Sequence, residues 1–190
     1  MSTLAPFPRI EDGPLVLRAF SDGDAEFIQE VSSDPLIVPI DPVLVQSKAI
    51  QETSNIDQMQ ALIDIARSHY TESIRYYFAI ADAETGNAVG HIGLGLKDLQ
   101  NGRASVGYWL AERKRGQGMA GHALRMLSAW AFTLPGIDRL ELYVEPWNEA
   151  SWRTAERVGY QREGLLRRWW SAGDERRDVY VYSLLRSDPR

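Results

Sequence analysis

The hydrophobic pattern changes its period on either side of the segment RKRGQGMAG, residues Arg113–Gly121. Before it, Ala104–Leu110 combines small, β-branched and aromatic residues and predicts a short strand. After it, apolar residues recur three and four positions apart, which predicts an amphipathic helix that ends at Pro135-Gly136. Leu140–Val144 predicts a further strand. This order predicts a parallel strand pair with a right-handed crossover, and it places the glycine-rich loop at the carboxyl end of the first strand.

The rest of the chain predicts a mixed α/β, or α+β, fold in a single domain over residues 1–190, with loosely ordered ends at 1–9 and 187–190. Turns at Glu84–Asn87 and Asp98–Gly102 make Ile74–Leu110 an antiparallel meander. Residues 32–50, rich in Pro, Ile and Val, predict an irregular loop around short helical pieces. Other strands are predicted at Leu15–Arg18, Ile74–Ala81, Val89–Leu96, Leu165–Trp170 and Val179–Leu185, and other helices at Ala25–Ile28, Asp57–Tyr70 and Asn148–Val158.

Composition excludes several classes of function. The formal net charge is -5, whereas nucleic-acid-binding domains are normally basic, so no nucleic-acid partner is expected. The chain has no cysteine, and its three histidines, His69, His91 and His122, are far apart in sequence, so we expect no metal site. The sequence has neither a signal-peptide pattern nor an apolar run long enough to span a bilayer. We therefore expect a cytoplasmic protein without a membrane partner.

The glycine-rich loop has two physical interpretations. Gly116 and Gly118 lack side chains, so their backbone N–H groups can approach a ligand closely. A helix that begins near Gly118 presents unpaired N–H groups and the positive end of its dipole, which favours an anion site. The alternative is a plain connection with solvated Arg and Lys side chains. Walker and dinucleotide-binding motifs are both absent, so kinase and Rossmann folds are not predicted.

Two segments carry a family resemblance, VGYWLAERKRGQGMAGHALRML and VEPWNEASWRTAERVGYQREGLLRR. They resemble the GNAT superfamily of acyl-CoA N-acyltransferases and, more narrowly, the RimJ/RimL-type ribosomal-protein N-acetyltransferases. The superfamily motif fits two registers, and we choose the one that starts at Arg115, five residues after the strand-end residue Leu110. The resemblance implies the GNAT fold, a strongly twisted, mostly antiparallel sheet with a central parallel strand pair and flanking helices.

The same resemblance implies that acetyl-CoA binds where Ala104–Leu110 and Leu140–Val144 splay apart. Asn148 and Ser151 match a family motif near the thioester, with Ser151 donating to the departing thiolate; Asn148 is also a good helix cap. Backbone groups of Tyr108, Trp109 and Leu110 would pair with pantetheine. Backbone N–H groups of Gly116, Gln117, Gly118, Met119, Ala120 and Gly121 would hold the pyrophosphate, with Arg113, Lys114 and Arg115 adding charge.

The implied reaction is direct transfer of an acetyl group to a primary amine, either a protein N-terminus or a small amine metabolite or antibiotic. Many RimJ/RimL-type proteins have a Glu at the position of Ser105, so the general base is open here. Substitutes are Glu145, which we include among the catalytic candidates, and Glu163, Asp98 and His91. The alternative is a CoA-binding regulatory module without catalysis. A monomer and a homodimer are both compatible with the sequence.

Two aromatic residues and one basic residue complete the candidates. Trp169 and Trp170 are consecutive on a predicted strand, so one is expected in the core and the other on the acceptor side. Arg157 is either a contact to the 3′-phosphate of the cofactor or a solvated helix residue, and the second interpretation is favoured.

Overall fold

The computed structural model describes residues 6–32, 34, 56–72, 74–172 and 175–189. The described chain forms one mixed sheet of eight strands: β1 Ile10–Asp12, β2 Leu15–Ala19, β3 Arg75–Asp82, β4 Ala88–Gly95, β5 Arg103–Leu110, β6 Arg139–Val144, β7 Gln161–Ala172 and β8 Glu175–Leu185. Their spatial order is β1-β2-β3-β4-β5-β6-β8-β7. The helices within these ranges are α1 Ala25–Val31, α2 Ile56–Thr71, α3 Met119–Ala131 and α4 Glu149–Arg157.

The centre of the sheet is the parallel pair β5 and β6, which α3 connects. Their register runs from Arg103 opposite Arg139 to Val106 opposite Leu142, and the pairing stops there although both strands continue. Beyond that point β5 stays paired with β4 as far as Leu110, and β6 stays paired with β8 as far as Val144. The two strands therefore diverge, and a wedge opens between them.

Helices cover both faces of the sheet. On one face, Leu124 and Leu127 of α3 join Phe78, Ile92 and other strand residues in the larger buried cluster. On the other face, residues of α1 and α2 pack with Ala79 and Trp109 in a smaller cluster. The side chains of a strand alternate between faces, which is why Phe78 and Ala79 belong to different clusters.

The residues at the end of α4 hold this helix against α3. Gly159 has a φ of 100°, and the N–H of Tyr160 bonds the carbonyl of Ala155 while that of Gly159 bonds Glu156, the Schellman arrangement that the sequence predicts. The buried Tyr160 hydroxyl then shares a hydrogen bond of 2.9 Å with Ser128 of α3. This contact fixes α4 beside α3, next to the wedge.

The sequence predicts most elements within two residues at each end. Three differences stand out. Strand β1 is not predicted, because three residues with one apolar side chain give no periodic signal. Strands β7 and β8 extend well beyond Leu165–Trp170 and Val179–Leu185, so the predicted hairpin loop Ser171–Arg177 is largely strand, although 173–174 lie outside the described residues.

The expected looseness of the chain ends is only partly testable, because residues 1–5 and 190 lie outside the described ranges. Phe7 packs edge-on against Tyr70 and Phe78, which anchors the first described residues to the sheet. At the other end, the Asp188 side chain accepts a hydrogen bond of 2.9 Å from the Leu185 N–H. The predicted irregular loop also falls mostly outside the described residues, at 35–50.

Gly90 allows β4 and β5 to approach each other. A Cβ at this position would lie 2.4 Å from the Trp109 carbonyl oxygen and 2.6 Å from Leu110 Cδ2. We expect Gly90→Ala to force the strands apart and to lower the free energy of unfolding by about 1–3 kcal/mol. Urea unfolding followed by circular dichroism measures the change.

The matched control is Gly164→Ala, because a Cβ at Gly164 meets no heavy atom within 4 Å. Equal unfolding midpoints for the two variants would show that strand β4 does not depend on a glycine at position 90.

Candidate active site

A cavity of about 280 Å³ fills the wedge between β5 and β6. Because the strands separate, the cavity passes from one face of the sheet to the other. Tyr108, Asn148 and Ser151 line it on the side of α4, and His91, Ser105 and Trp109 line it on the opposite side. The cavity thus brings together residues from β4, β5 and the start of α4 that are far apart in sequence.

The side of the cavity next to α4 holds a hydroxyl pair. The Tyr108 hydroxyl donates to the Ser151 carbonyl oxygen at 3.0 Å, and the Ser151 hydroxyl donates to the Tyr108 oxygen at 3.1 Å. Burial raises the pKa of Tyr108 to about 12, so this phenol stays protonated at neutral pH. The Asn148 side-chain oxygen accepts from the Ser151 N–H at 3.2 Å, which makes Asn148 the N-cap of α4.

The glycine-rich loop forms the other half of the site. Gly116 and Gly118 have φ values of 75° and 78°, the left-handed conformation that favours glycine. The first backbone bond of α3 runs from the His122 N–H to the Gly118 carbonyl. Within the described ranges, the six N–H groups from Gly116 to Gly121 have no acceptor. A helix start alone leaves about four such groups, and the loop extends this row of donors.

The basic residues of the loop are used in different ways. Arg115 donates from Nε to the Leu110 carbonyl at 3.0 Å, and it also pairs with Asp34. Arg113 pairs with Glu30 on the surface, and its carbonyl accepts from the Gln117 side chain at 3.1 Å. The motif residue Arg115 therefore ties the loop to the end of β5, and Gln117 closes the loop onto itself.

The structure separates the four substitutes for the missing general base. Glu145 and His91 line the cavity, whereas Glu163 and Asp98 do not. Asp98 is half-exposed and lies near Arg103. Hydrogen bonds from Arg139 and Ser183, together with the charge of Arg139, lower the pKa of Glu163 to about 2, so its carboxylate is a weak base at neutral pH.

Glu145 is a buried carboxylate with two partners. Its Oε2 accepts from Trp147 Nε1 at 2.6 Å, and Arg177 of β8 approaches the same oxygen at 3.3 Å. The side chain is 5 % exposed. Glu145 is therefore held as half of an ion pair at the cavity wall, where it orients Trp147.

His91 is a buried imidazole on the opposite side of the sheet from α4. Its Nδ1 lies 3.0 Å from the Phe78 carbonyl oxygen. Because a carbonyl oxygen can accept but not donate a hydrogen bond, Nδ1 carries the proton in the neutral ring. Tyr77 stacks on the ring at 5.3 Å between centroids. In this tautomer Nε2 is the basic nitrogen.

The last hairpin supplies one wall residue through an irregularity in β7. The register shifts between Leu166 and Trp170, and Arg168 has a φ of 51° with its N–H bonded to Asp178. As a result Trp170 lines the cavity, while Trp169 is 53 % exposed and stacks on Tyr143. The expectation that one of the two tryptophans lies in the core is wrong, because the bulge removes the simple alternation of faces.

Comparison with known proteins identifies the family. The model of the acetyltransferase (GNAT) domain family matches residues 14–161. The chain is 30 % identical to Uncharacterized N-acetyltransferase p20 of Bacillus licheniformis over 174 residues, which is 92 % of this chain and 94 % of that protein.

The chain belongs to the GNAT acetyltransferase family. It is therefore an acyltransferase, and the alternative of a binding module without catalysis is not favoured.

Solved structures agree on the GNAT fold. Mycobacterium smegmatis RimJ in complex with CoA-disulfide has a TM-score of 0.78 at 23 % identity and covers 95 % of this chain and 87 % of that chain. The microcin C7 self-immunity acetyltransferase MccE, in complex with acetyl-CoA and AMP, has a TM-score of 0.78 at 19 % identity and covers 92 % and 93 %.

Other features of the acetyltransferase bear on its partners. Within the described ranges, no cluster of three or more His, Cys, Asp or Glu side chains is placed to hold a metal ion. In this part of the chain, no helix has the length and apolar character of a membrane span. Arg157 lies on the open surface of α4 beside Trp152, outside the cavity.

Sequence reasoning missed three contributors to the cavity. For Tyr108 it invoked the backbone alone, whereas the buried hydroxyl contacts Ser151. It assigned no role to Trp147 or to Arg75, which also line the cavity. Their positions depend on which strands pair, so no local pattern around Arg75 or Trp147 marks them.

Proposed function

We propose that the acetyltransferase binds acetyl-CoA and transfers the acetyl group directly to a primary amine of a protein N-terminus, a small metabolite or an antibiotic. The observation that carries this proposal is that the wedge between β5 and β6 and the row of unpaired N–H groups lie at the same end of β5. A donor with a long neutral arm and a diphosphate needs these two features side by side. The CoA and acetyl-CoA complexes of RimJ and MccE support it.

In this arrangement the pantetheine arm lies along Tyr108, Trp109 and Leu110, on the edge of β5 that β6 leaves unpaired. The arm then pairs with the strand as an added strand does. The diphosphate binds the N–H groups of Gly116 to Gly121 at the start of α3. Arg113 and Lys114 add positive charge from the exposed side of the loop. Arg115 contributes by holding the loop in shape.

The chemistry is a direct displacement. The neutral amine nitrogen attacks the thioester carbonyl carbon, the carbon–sulfur bond breaks, and CoA leaves as a thiolate that takes a proton. The Tyr108 and Ser151 hydroxyls lie at the end of the wedge where the thiolate forms. Each carries one hydroxyl proton, which now points at the Ser151 carbonyl and at the Tyr108 oxygen, respectively. Rotation about the C–O bonds turns these protons toward the sulfur, where they stabilise the thiolate by hydrogen bonds. Asn148 positions Ser151 by capping its helix.

The amine gives up one proton, and we assign its acceptor to Nε2 of His91, directly or through water. The Phe78 carbonyl fixes the tautomer in which this nitrogen is basic, and the ring lies at the cavity wall opposite the hydroxyl pair. Glu145 instead keeps Arg177 and Trp147 in place. The group that accepts the amine proton and the hydroxyls that donate to the sulfur therefore lie on opposite faces of the sheet.

The donor assignment is tested with Gly118→Glu. The positive φ of this residue costs a substituted side chain about 1–2 kcal/mol, but a Cβ here meets no heavy atom within 4 Å, so the protein should stay folded. We expect the added carboxylate to repel the diphosphate and to lower acetyl-CoA affinity at least 100-fold in calorimetry. Gly118→Ala is the matched control, with the same backbone cost and no charge.

The overall activity is measured as release of free thiol from acetyl-CoA in the presence of N-terminal peptides, polyamines and aminoglycosides. The proposal requires amine-dependent thiol release by the wild-type protein. Tight binding of acetyl-CoA without thiol release with any amine would instead support the non-catalytic alternative.

For the variant Gly118→Glu, a folded protein with wild-type affinity for acetyl-CoA would show that the loop is not part of the donor site.

Ser151→Ala tests the leaving-group role. Loss of one hydroxyl should lower kcat about tenfold or more, because the thiolate keeps only the Tyr108 donor. The affinity for CoA should change little, since the loop and the strand edge are intact. Tyr108→Phe should show the same pattern, and an unchanged kcat in both variants would contradict the assignment.

His91→Gln tests the proton acceptor. Removing a general base typically costs a factor of about 100 to 10,000, so kcat should fall by at least 100-fold without loss of acetyl-CoA binding. Glu145→Gln, which removes a carboxylate from the same cavity wall, serves as the comparison and should cost less than His91→Gln. The reverse order would assign the proton to Glu145.

A further inference from the structure

One row of residues crosses the sheet just before the wedge opens. Arg75 on β3 lies opposite Gly95 on β4, Gly95 lies opposite Ser105 on β5, and Ser105 lies opposite Glu141 on β6. Gly95 leaves a gap in this row that its two neighbours fill. A Cβ built on Gly95 would lie 2.5 Å from Ser105 Oγ and 3.0 Å from an Arg75 guanidinium nitrogen. Arg75 and Ser105 therefore converge over Gly95, and both line the cavity.

The carboxylates near Arg75 and Ser105 already have guanidinium partners. The Glu145 carboxylate in the cavity wall pairs with Arg177. Next to Ser105, Glu141 accepts from Arg139 at 2.8 Å and from Tyr143 at 2.7 Å. Burial opposes ionisation of Glu141, but these hydrogen bonds and the nearby guanidinium charges hold its pKa below the usual range. Glu141 and Glu145 thus each already have a guanidinium partner.

Arg75 differs from the other cations near the cavity. No carboxylate of the described residues lies within ion-pair distance of its guanidinium, which instead lies over the Tyr77 ring at 5.6 Å. The side chain is partly buried in the cavity wall. A guanidinium is always charged and presents a planar set of donors that matches a carboxylate. Among the described residues, Arg75 is thus a guanidinium in the cavity wall without a carboxylate partner.

We propose that the amine acceptor carries a carboxylate, and that Arg75, assisted by the Ser105 hydroxyl, binds this group. The inference rests on the proposed acetyl transfer and names the chemical class of its acceptor. It assigns to Ser105 a role in acceptor recognition. A polyamine, with several positive charges and no carboxylate, meets a guanidinium at this point and is disfavoured.

The size and lining of the cavity narrow the class further. The cavity has a volume of about 280 Å³, which fits a small acceptor that carries its amine and its carboxylate on one compact molecule, such as a free amino acid. Trp109, Trp147 and Trp170 line the same cavity, which favours an amino acid with an apolar side chain.

The first experiment compares three amines of one shape with the wild-type protein: phenylalanine, phenylalaninamide and phenethylamine. Thiol release from acetyl-CoA gives kcat/KM for each. The amino group of phenylalaninamide is a weaker base than that of the other two compounds, so a larger fraction of it is neutral at neutral pH. Intrinsic reactivity alone would therefore favour phenylalaninamide. We expect kcat/KM for phenylalanine to exceed that for both analogues, which lack the carboxylate, by about tenfold or more, as for a charged hydrogen bond. A peptide with an N-terminal Asp distinguishes a free amino acid from an acidic protein terminus.

The second experiment repeats the comparison with Arg75→Gln. We expect it to remove the preference for phenylalanine by raising KM, while phenethylamine and acetyl-CoA affinity are unaffected. Ser105→Glu, which places a carboxylate beside the guanidinium, should also remove the preference for phenylalanine over phenethylamine. The ratio of the two kcat/KM values is the measurement here, because a carboxylate at position 105 can also act as a base toward every amine. Arg9→Gln is the control, because it removes an exposed guanidinium that pairs with Glu11 far from the cavity.

The outcomes separate the two proposals. Absence of thiol release with every amine would overturn the acetyl transfer itself. Thiol release without preference for phenylalanine, or a preference that survives both Arg75→Gln and Ser105→Glu, would overturn the carboxylate assignment and leave the transfer intact. A preference for the acidic peptide over all free amino acids would retain Arg75 as the reader of a carboxylate and identify a protein terminus as its source.

Discussion

The divergence of β5 and β6 after Val106 and Leu142 is the constraint on which the rest of the site depends. A parallel pair that stayed closed would use the backbone groups of both strands and leave no cavity in the sheet. Because each strand stays paired on its outer side, with β4 and with β8, the wedge is rigid without being filled. Parallel strands with a helical crossover also bring the carboxyl end of β5 and the start of α3 to the same edge. One geometric fact therefore produces both the cavity and the adjacent row of donors.

The loop after β5 is built to keep that row of donors in place. Arg115 reaches back to the Leu110 carbonyl, and Gln117 reaches back to the Arg113 carbonyl, so two side chains hold the loop without using the backbone N–H groups from Gly116 to Gly121. The left-handed Gly116 and Gly118 turn the chain without a side chain over the donors. This explains why the motif arginine lies at a fixed distance from the strand end: its nitrogen must reach a carbonyl that the strand presents.

The sequence predicts what local chemistry determines. The 3.6-residue period defines α3, Gly159 ends α4, and the spacing of Arg115, Gly118 and Ala120 locates the loop. It does not predict contacts created by register. Arg75 meets Ser105 only because Gly95 lies between them on β4, and Trp170 reaches the cavity only because β7 has two extra residues before it. Such relations need the exact register of each strand pair and the position of a bulge, which the predicted strands and turns do not give. The Tyr108 hydroxyl was missed for the same reason, since Ser151 lies 43 residues away.

Near the wedge, the buried carboxylates are paired with guanidinium groups, whereas Arg75 has no carboxylate partner among the described residues. Buried carboxylates are costly unless they are paired, and Glu145 and Glu141 each have a guanidinium partner within the fold. The chain as a whole is acidic, with a formal net charge of -5, so cations are in shorter supply than anions. A guanidinium that lines a cavity without a carboxylate from the described part of the chain is therefore informative in this protein. Its partner is best sought in what enters the cavity, because Arg75 and its neighbour Ser105 both line the cavity wall.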